Sequence, residues 1–264
     1  MSERDHYPPG VLCWVDTAQP EPEKALDFYG AVLGWDFIGG DTPGRYYVAR
    51  LRGRDVAGIS SPLPGGALPR PEWMTYVAVK SADLPATRAR KAGAVIVVVP
   101  FDASPSGRMA VLRDRAGAAF GIWQAGLRGG AQLVNEPSAW AMSTLNTDDP
   151  EGATAFYRAL FGWEPTPSGP GATLLRLPGY VGGEPEQPVP RDLVTVMRAA
   201  DGDPCWSVDI LVADVDQAAA TTVQHGGVVT VSPHELPRFR NAVIADPHGA
   251  RLSLSQLVLP ARPQ

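Results

Sequence analysis

The sequence predicts an α+β fold in which one plan, a strand, a helix and then several strands, runs four times along the chain. Three observations carry that prediction. The stretch EKALDFYGAVLGWDF (Glu23 to Phe37) returns 128 residues later as EGATAFYRALFGWEP (Glu151 to Pro165), with seven of fifteen positions identical. GRMAVLRDRAGAAFGIWQ (Gly107 to Gln124) returns as FRNAVIADPHGARLSLSQ (Phe239 to Gln256) at an offset of 132. Between these blocks, MTYVAVKSADLPATRARKAGA and SVDILVADVDQAAATTVQHGG each read as an alternating strand, an Asp-bearing turn and a helix stopped by glycine. The offset drifts by a few residues, as loop insertions allow. The chain therefore reads as a tandem duplication with halves 1–128 and 129–264, joined near Ala125 to Ser138.

Each half divides again. The first module opens with a strand (Val11 to Asp16), and a Pro- and Glu-rich turn follows. A helix is predicted from about Pro22 to Leu33, because Ala25, Phe28, Tyr29, Val32 and Leu33 share one face. Gly34 is placed to end it. Strands follow at RYYVARLRG and DVAGISS. The second module starts with a strand from Met74 to Val79. A helix from about Pro85 to Ala92 comes next, with proline in its first turn and Asp83 as candidate cap. A strand at Val95 to Val99 and a hairpin-like pair, RMAVLRD and AAFGIWQ, complete it.

Composition narrows the function classes. The 264 residues are 44% hydrophobic and 19% charged, enough for an ordinary core. The net charge is −5 and no Lys/Arg-rich run appears, which argues against a nucleic-acid partner. No apolar stretch approaches the ~20 residues of a membrane span, and MSERDHYPPG has no apolar signal core. A cytoplasmic protein is expected, with Cys13 and Cys205 as reduced thiols, since no CxxC spacing suggests a metal pair.

The blocks FYGAVLGW, FYRALFGW, DRAGAAFGIWQ and DPHGARLSLSQ together resemble the vicinal oxygen chelate superfamily, which includes glyoxalase I, extradiol dioxygenases and bleomycin-resistance proteins. The resemblance covers nearly the whole chain. It implies four βαβββ modules paired into two glyoxalase-like domains with curled, cup-forming mixed sheets. It also implies that the Phe-Tyr and Gly-Trp pairs anchor each half's first helix to its sheet. The family's single-domain members dimerise to complete their cups, so a chain carrying its own duplicate is expected to be a monomer or weak homodimer.

In metal-using members the opening strand of each module carries His and the final strand carries Glu. Counted from the shared motifs, those positions hold Trp14, Met74, Gly121, Met142, Ser207 and Ser253. None offers an imidazole or carboxylate, and thioethers suit hard divalent ions poorly. The expected cofactor set is empty. His6, His225, His234 and His248 fall in the N-terminus, a helix end, a loop and a turn, and read as solvent-facing or capping residues.

Strand alternation then gives the cup-facing side chains. In the first half these are Leu12, Trp14, Asp16, Met74, Tyr76, Gly121 and Trp123. In the second they are Met142, Thr144, Ser207, Asp209, Ser253 and Ser255. An aromatic, apolar lining with few polar groups suits a hydrophobic or aromatic small molecule. Asp209, flanked by Val208, Ile210 and Leu211, stands well inside a strand, where Asp is disfavoured. It and Asp16 are the candidate catalytic bases, although Asp16 precedes a turn and could simply cap the strand end. Arg108, Arg238 and Arg240 are candidate partners for these carboxylates or for an anionic ligand, exposed arginines being the commoner case. Two readings stay open: a metal-independent cyclase, isomerase or lyase of secondary metabolism, and an antibiotic-binding resistance protein without chemistry. A metal-dependent glyoxalase or dioxygenase is disfavoured by the missing ligands.

Overall fold

The computed structural model describes residues 3–41, 44–62, 70–182 and 191–258. Four modules follow one another. The first is β1 (Leu12–Ala18), α1 (Pro22–Leu33), β2 (Asp36–Gly39), β3 (Tyr47–Leu51) and β4 (Arg54–Ser60). The second is β5 (Trp73–Ala78), α2 (Asp83–Lys91), β6 (Val95–Ala103), β7 (Gly107–Arg113) and β8 (Ala119–Ala125). The third is β9 (Trp140–Thr147), α3 (Pro150–Phe161), β10 (Glu164–Pro167), β11 (Ala172–Arg176) and β12 (Leu193–Ala199). The fourth is β13 (Cys205–Leu211), α4 (Val215–Gln224), β14 (Val228–Leu236), β15 (Phe239–Ala245) and β16 (Arg251–Leu257).

The strands form two mixed eight-stranded sheets, ordered β2-β3-β4-β1-β5-β8-β7-β6 and β10-β11-β12-β9-β13-β16-β15-β14. The same permutation in both is the structural form of the duplication. In every module the first strand runs parallel to the last, as in β1 with β4 and β13 with β16. Parallel neighbours need a crossover, and each module's helix supplies it. The other pairs within each module are antiparallel.

The helices form where local chemistry allows. Proline opens both α1 and α3, where a missing N–H costs nothing. Gly34 and Gly162 close them at φ 69° and 77°, a left-handed turn that only glycine adopts without strain. Asp149 caps α3 by accepting the Gly152 N–H. Asp83 differs from expectation. It lies inside α2 rather than at its cap, and its carboxylate is held by Arg108 at 2.9 Å. The repeat explains why: Asp214 caps α4, while Asp216, the counterpart of Asp83, is held by Arg240 at 2.7 Å.

The chain divides into two compact units, each drawing on both halves. One comprises Met1–Trp14, Met74–Gln132 and Ser143–Ser207; the other comprises Val15–Trp73, Leu133–Met142 and Val208–Gln264. The first therefore joins the second and third modules, and the other joins the first and fourth.

The repeated Phe-Tyr and Gly-Trp pairs do more than fill core. Within the unit of modules one and four, the Tyr29 hydroxyl donates to Asp246 Oδ2 at 2.9 Å and accepts from Trp73 Nε1 at 2.9 Å. Within the other unit, Tyr157 donates to Asp114 Oδ2 at 2.9 Å and accepts from Trp206 Nε1 at 3.1 Å. Each Asp holds its own turn with the other oxygen. Asp114 Oδ1 accepts the N–H groups of Ala116, Gly117 and Ala118; Asp246 Oδ1 accepts those of His248 and Ala250. The anchor thus runs from the helix of one half to the turn of the other. Trp35 and Trp163 stack on these tyrosines at ring separations of 5.8 and 5.2 Å. Their indoles donate at 2.7 Å to the carbonyls of Ser138 and Gly10.

Removing one buried partner leaves others unsatisfied. Tyr157→Phe strips Asp114 Oδ2 and Trp206 Nε1 of a bond each, and is expected to cost about 2 kcal/mol or more in urea-unfolding free energy. Tyr29→Phe is expected to cost less, because Gln19 Nε2 also donates to Asp246 Oδ2, at 2.7 Å. Equal midpoints for both variants and the parent chain would remove these bonds from the list of stabilising interactions.

Candidate functional site

Strand alternation decides which side chains are available for chemistry. On β13, Trp206, Val208 and Ile210 are buried, while Cys205, Ser207 and Asp209 form the half-buried row. On β9 the corresponding row is Met142, Thr144 and Asn146, all half-buried. On β1, Cys13, Val15 and Thr17 are fully buried, and Asp16 and Ala18 are more open.

In the unit that joins modules one and four, Asp209 lies directly across from Ser253 of β16. Ser255 Oγ donates to Asp209 Oδ1 at 2.8 Å and accepts from Asn241 Nδ2 of β15 at 2.9 Å. Among the described residues Ser255 is the only hydrogen-bond partner of the Asp209 carboxyl, so Oδ2 is uncommitted. Desolvation raises the Asp209 carboxyl from 3.8 to about 7, against the opposing pull of the Ser255 bond. A carboxyl of that acidity is half ionised near neutral pH, where a general base is most effective.

The same unit holds Asp16. It opens the register of β1 with β4, opposite Gly58 and two residues before the strand ends at Ala18, so it is not an end cap; Tyr46 donates to its Oδ2 at 3.1 Å. A Cβ at residue 58 would collide with the Tyr46 hydroxyl, so glycine there lets the phenol cross the strand to the carboxylate. Met142 also belongs to this unit, half-buried on β9.

The unit of modules two and three carries the aromatic candidates. Leu12, Trp14 and Met74 are almost completely buried. Tyr76 lies opposite Gly121 with its ring where a Cβ at 121 would stand. Trp123 is half-buried on β8, its indole donating to Arg128 O at 2.9 Å. Thr144 and Ser207 meet through Ser207 Oγ and the Thr144 carbonyl at 3.3 Å, and Asn146 Nδ2 donates to Ser207 Oγ at 3.1 Å. Neither cysteine is in a disulfide; Cys13 is buried and Cys205 half-buried.

Comparing equivalent positions shows where the halves have diverged. Tyr76, Gly121, Trp123 and Met109 of the second module correspond to Asp209, Ser253, Ser255 and Asn241 of the fourth. An aromatic, apolar quartet has become a polar one, three of whose members are linked by hydrogen bonds. Asn241 and Tyr46 escaped the sequence reading. Asn241 could have been found by laying the repeats over each other, since it replaces Met109 beside Ser255. Tyr46 precedes β3 in a loop, where no periodicity points to it.

Two of the three candidate arginines are engaged elsewhere. Arg108 binds Asp83 and Asp102, and Arg240 binds Asp216 and Glu235, at 2.7–2.9 Å. Neither is bonded to Asp16 or Asp209.

The divalent ion of the metal-using relatives does not fit the residues present. Trp14, Met74, Gly121, Met142, Ser207 and Ser253 supply no imidazole or carboxylate. At residue 121 the Tyr76 ring occupies the space a glutamate would need. Among the described residues no three His, Cys, Asp or Glu side chains come together in a metal-holding group.

Comparison with known proteins agrees with the architecture. Residues 129–255 match the family model described as a glyoxalase-like domain. CFP32 of Mycobacterium tuberculosis, provisionally named a glyoxylase, is 35% identical over 96% of this chain and 97% of its own. The anthracycline biosynthesis protein DauV of Streptomyces sp. strain C5 is 32% identical over 95% of this chain and 94% of its own. The Mn(II)-bound glyoxalase from Novosphingobium aromaticivorans superposes with a TM-score of 0.64 at 14% identity, covering 94% of this chain and 82% of that one, a likeness of fold. With full-length relatives above 30% identity and the doubled sheet order in place, the chain belongs to the glyoxalase-like, vicinal oxygen chelate superfamily as a tandem two-domain member.

Proposed function

We propose that this chain is a metal-independent enzyme of secondary metabolism that acts on a hydrophobic or aromatic small molecule, with Asp209 as general base. The reaction class is an isomerisation, cyclisation or lyase-type step that begins by removing a proton from a carbon next to a carbonyl. The observation that carries the reading is the Asp209 carboxyl itself. It sits inside a strand and has one oxygen held by Ser255 and the other uncommitted, and burial pushes its pKa up to about 7. A structural carboxylate such as Asp114 looks different, since both of its oxygens are bonded.

The substrate class is supported by the names of DauV and of the 31% identical DnrV of Streptomyces peucetius, both anthracycline biosynthesis proteins. Asp209 Oδ2 takes the proton while Ser255 Oγ–H steadies the charge on Oδ1. Asp16, steadied in the same way by the Tyr46 hydroxyl, is the alternative base. The halves 1–128 and 129–264 are read as the two products of one gene duplication.

Incubation with a panel of aromatic metabolites, followed by mass spectrometry, separates converted product from unchanged bound compound. For a converted compound, Asp209→Asn should leave affinity roughly intact and lower turnover about 10²-fold or more. Loss of binding with no turnover in the parent chain would instead favour a sequestering protein. Unchanged turnover in both Asp209→Asn and Asp16→Asn would rule out a carboxylate base.

The pH dependence has a definite sign. Turnover should rise as Asp209 ionises and level off above about 7. Stability should move the other way. A carboxyl whose folded value lies above its unfolded one contributes stability that is fully present below about 3.8 and is lost as pH rises through about 7. Asp209→Asn should flatten that part of the stability curve, as read from urea midpoints between those limits.

Dialysis against EDTA should leave turnover unchanged, and elemental analysis should find no stoichiometric divalent metal. One tightly held ion per chain would return a metal enzyme to first place.

A further inference from the structure

The two copies of the first module differ in a way that opens a second site, apart from Asp209. In the first half the space between α1 and the strands β2 and β3 is filled by the chain's own aromatic side chains. The Tyr47 hydroxyl reaches the Glu23 carboxylate of α1 at 2.9 Å, and Phe37 lies against Gly30. In the second half the same register places Thr173 where Tyr47 stands, and Pro165 where Phe37 stands. Leu26 of α1 becomes Thr154 of α3. Three large side chains have become small, and a groove of about 660 Å³ lies open between α3 and β10, β11 and β12, floored by Met197. A volume of this size suits a small organic ligand.

The polar groups that served the aromatic rings remain. Glu151 keeps the place of Glu23, which in the first half accepts a phenol. Arg158 replaces Gly30 at the spot where the Phe37 ring lies in the first half, and its guanidinium makes no ion pair or hydrogen bond among the described residues. A guanidinium in that position stacks on an aromatic face. We infer that this groove binds a hydroxylated planar aromatic molecule, whose ring takes the space of Phe37 and Tyr47 and whose hydroxyl donates to Glu151. The inference is independent of any chemistry at Asp209, because every residue in it lies on α3 and β10 to β12.

The test uses 2-naphthol and 2-methoxynaphthalene as probes, with equilibrium dialysis of the full chain. The double variant Pro165→Phe, Thr173→Tyr installs the residues that the first half already carries. It should weaken 2-naphthol binding at one site per chain about tenfold or more. Glu151→Gln, an exposed substitution that spares the fold, should weaken 2-naphthol and leave 2-methoxynaphthalene unchanged. Asp209→Asn should alter neither, which separates this site from the proposed catalytic one. The inference is overturned if the parent chain takes up no 2-naphthol at about 1 mM. It is overturned equally if the double variant and Glu151→Gln bind as the parent does. Sedimentation closes the remaining route: if the parent self-associates and the double variant does not, the groove is covered by a second copy and the aromatic-ligand assignment fails.

Discussion

The fold depends on two buried tyrosine hydroxyls. A phenol that is completely enclosed must find a partner, and the partner it finds here lies in the other half of the chain. Tyr29 of the first module reaches Asp246 of the fourth, and Tyr157 of the third reaches Asp114 of the second. Neither half can satisfy its own tyrosine in this arrangement. A single half would strand a phenol, a carboxylate oxygen and an indole N–H, each at a cost of about 1–3 kcal/mol. Each half therefore needs a partner half, and the duplication supplies it within the same chain. It also explains why the helix motif and the Asp turn recur together, since they are two ends of one bond.

With the buried rows held fixed, the open rows were free to change. The exchange of Tyr76, Gly121, Trp123 and Met109 for Asp209, Ser253, Ser255 and Asn241 is correlated rather than piecemeal. Gly121 is needed so that the Tyr76 ring can lie flat on its neighbour. Once a carboxylate replaces that ring, glycine is no longer required, and a donor is. Ser255 supplies it, and Asn241 holds Ser255 in turn. The same logic runs in reverse on the outer face of α3, where loss of the Tyr47 and Phe37 equivalents leaves Glu151 without a phenol to accept from.

Periodicity made the elements legible, because the apolar face of α1 and the alternation on β13 are local patterns. Both helix stops could be read from glycine alone. The pairing of modules across halves could not, because no local pattern records which buried donor meets which acceptor. Asp83 shows a subtler limit. An Asp near a helix start reads as a cap, and only the position of Arg108, twenty-five residues on, makes it an ion-pair partner instead. Asp209 was legible as an anomaly, a charge inside an apolar strand. Its partner chain through Ser255 to Asn241 crosses three strands and needs their register, which the sequence does not print.

Asp209 is set apart by how few donors reach it. Asp114 receives three backbone N–H groups and a phenol, so both oxygens are fixed and the group is structural. Asp209 receives one hydroxyl. Asn241 donates its amide to Ser255, and Ser255 then has its own proton free to point at Asp209, which favours the ionised form. Burial favours the neutral form. Burial outweighs the single hydroxyl and lifts the carboxyl from 3.8 to about 7, so it changes charge close to neutral pH instead of staying ionised as an exposed Asp would. A second donor would hold it ionised and weaken it as a base; removing Ser255 would hold it protonated. One hydroxyl on β16 thus sets whether the carboxylate of β13 can accept a proton in the working pH range.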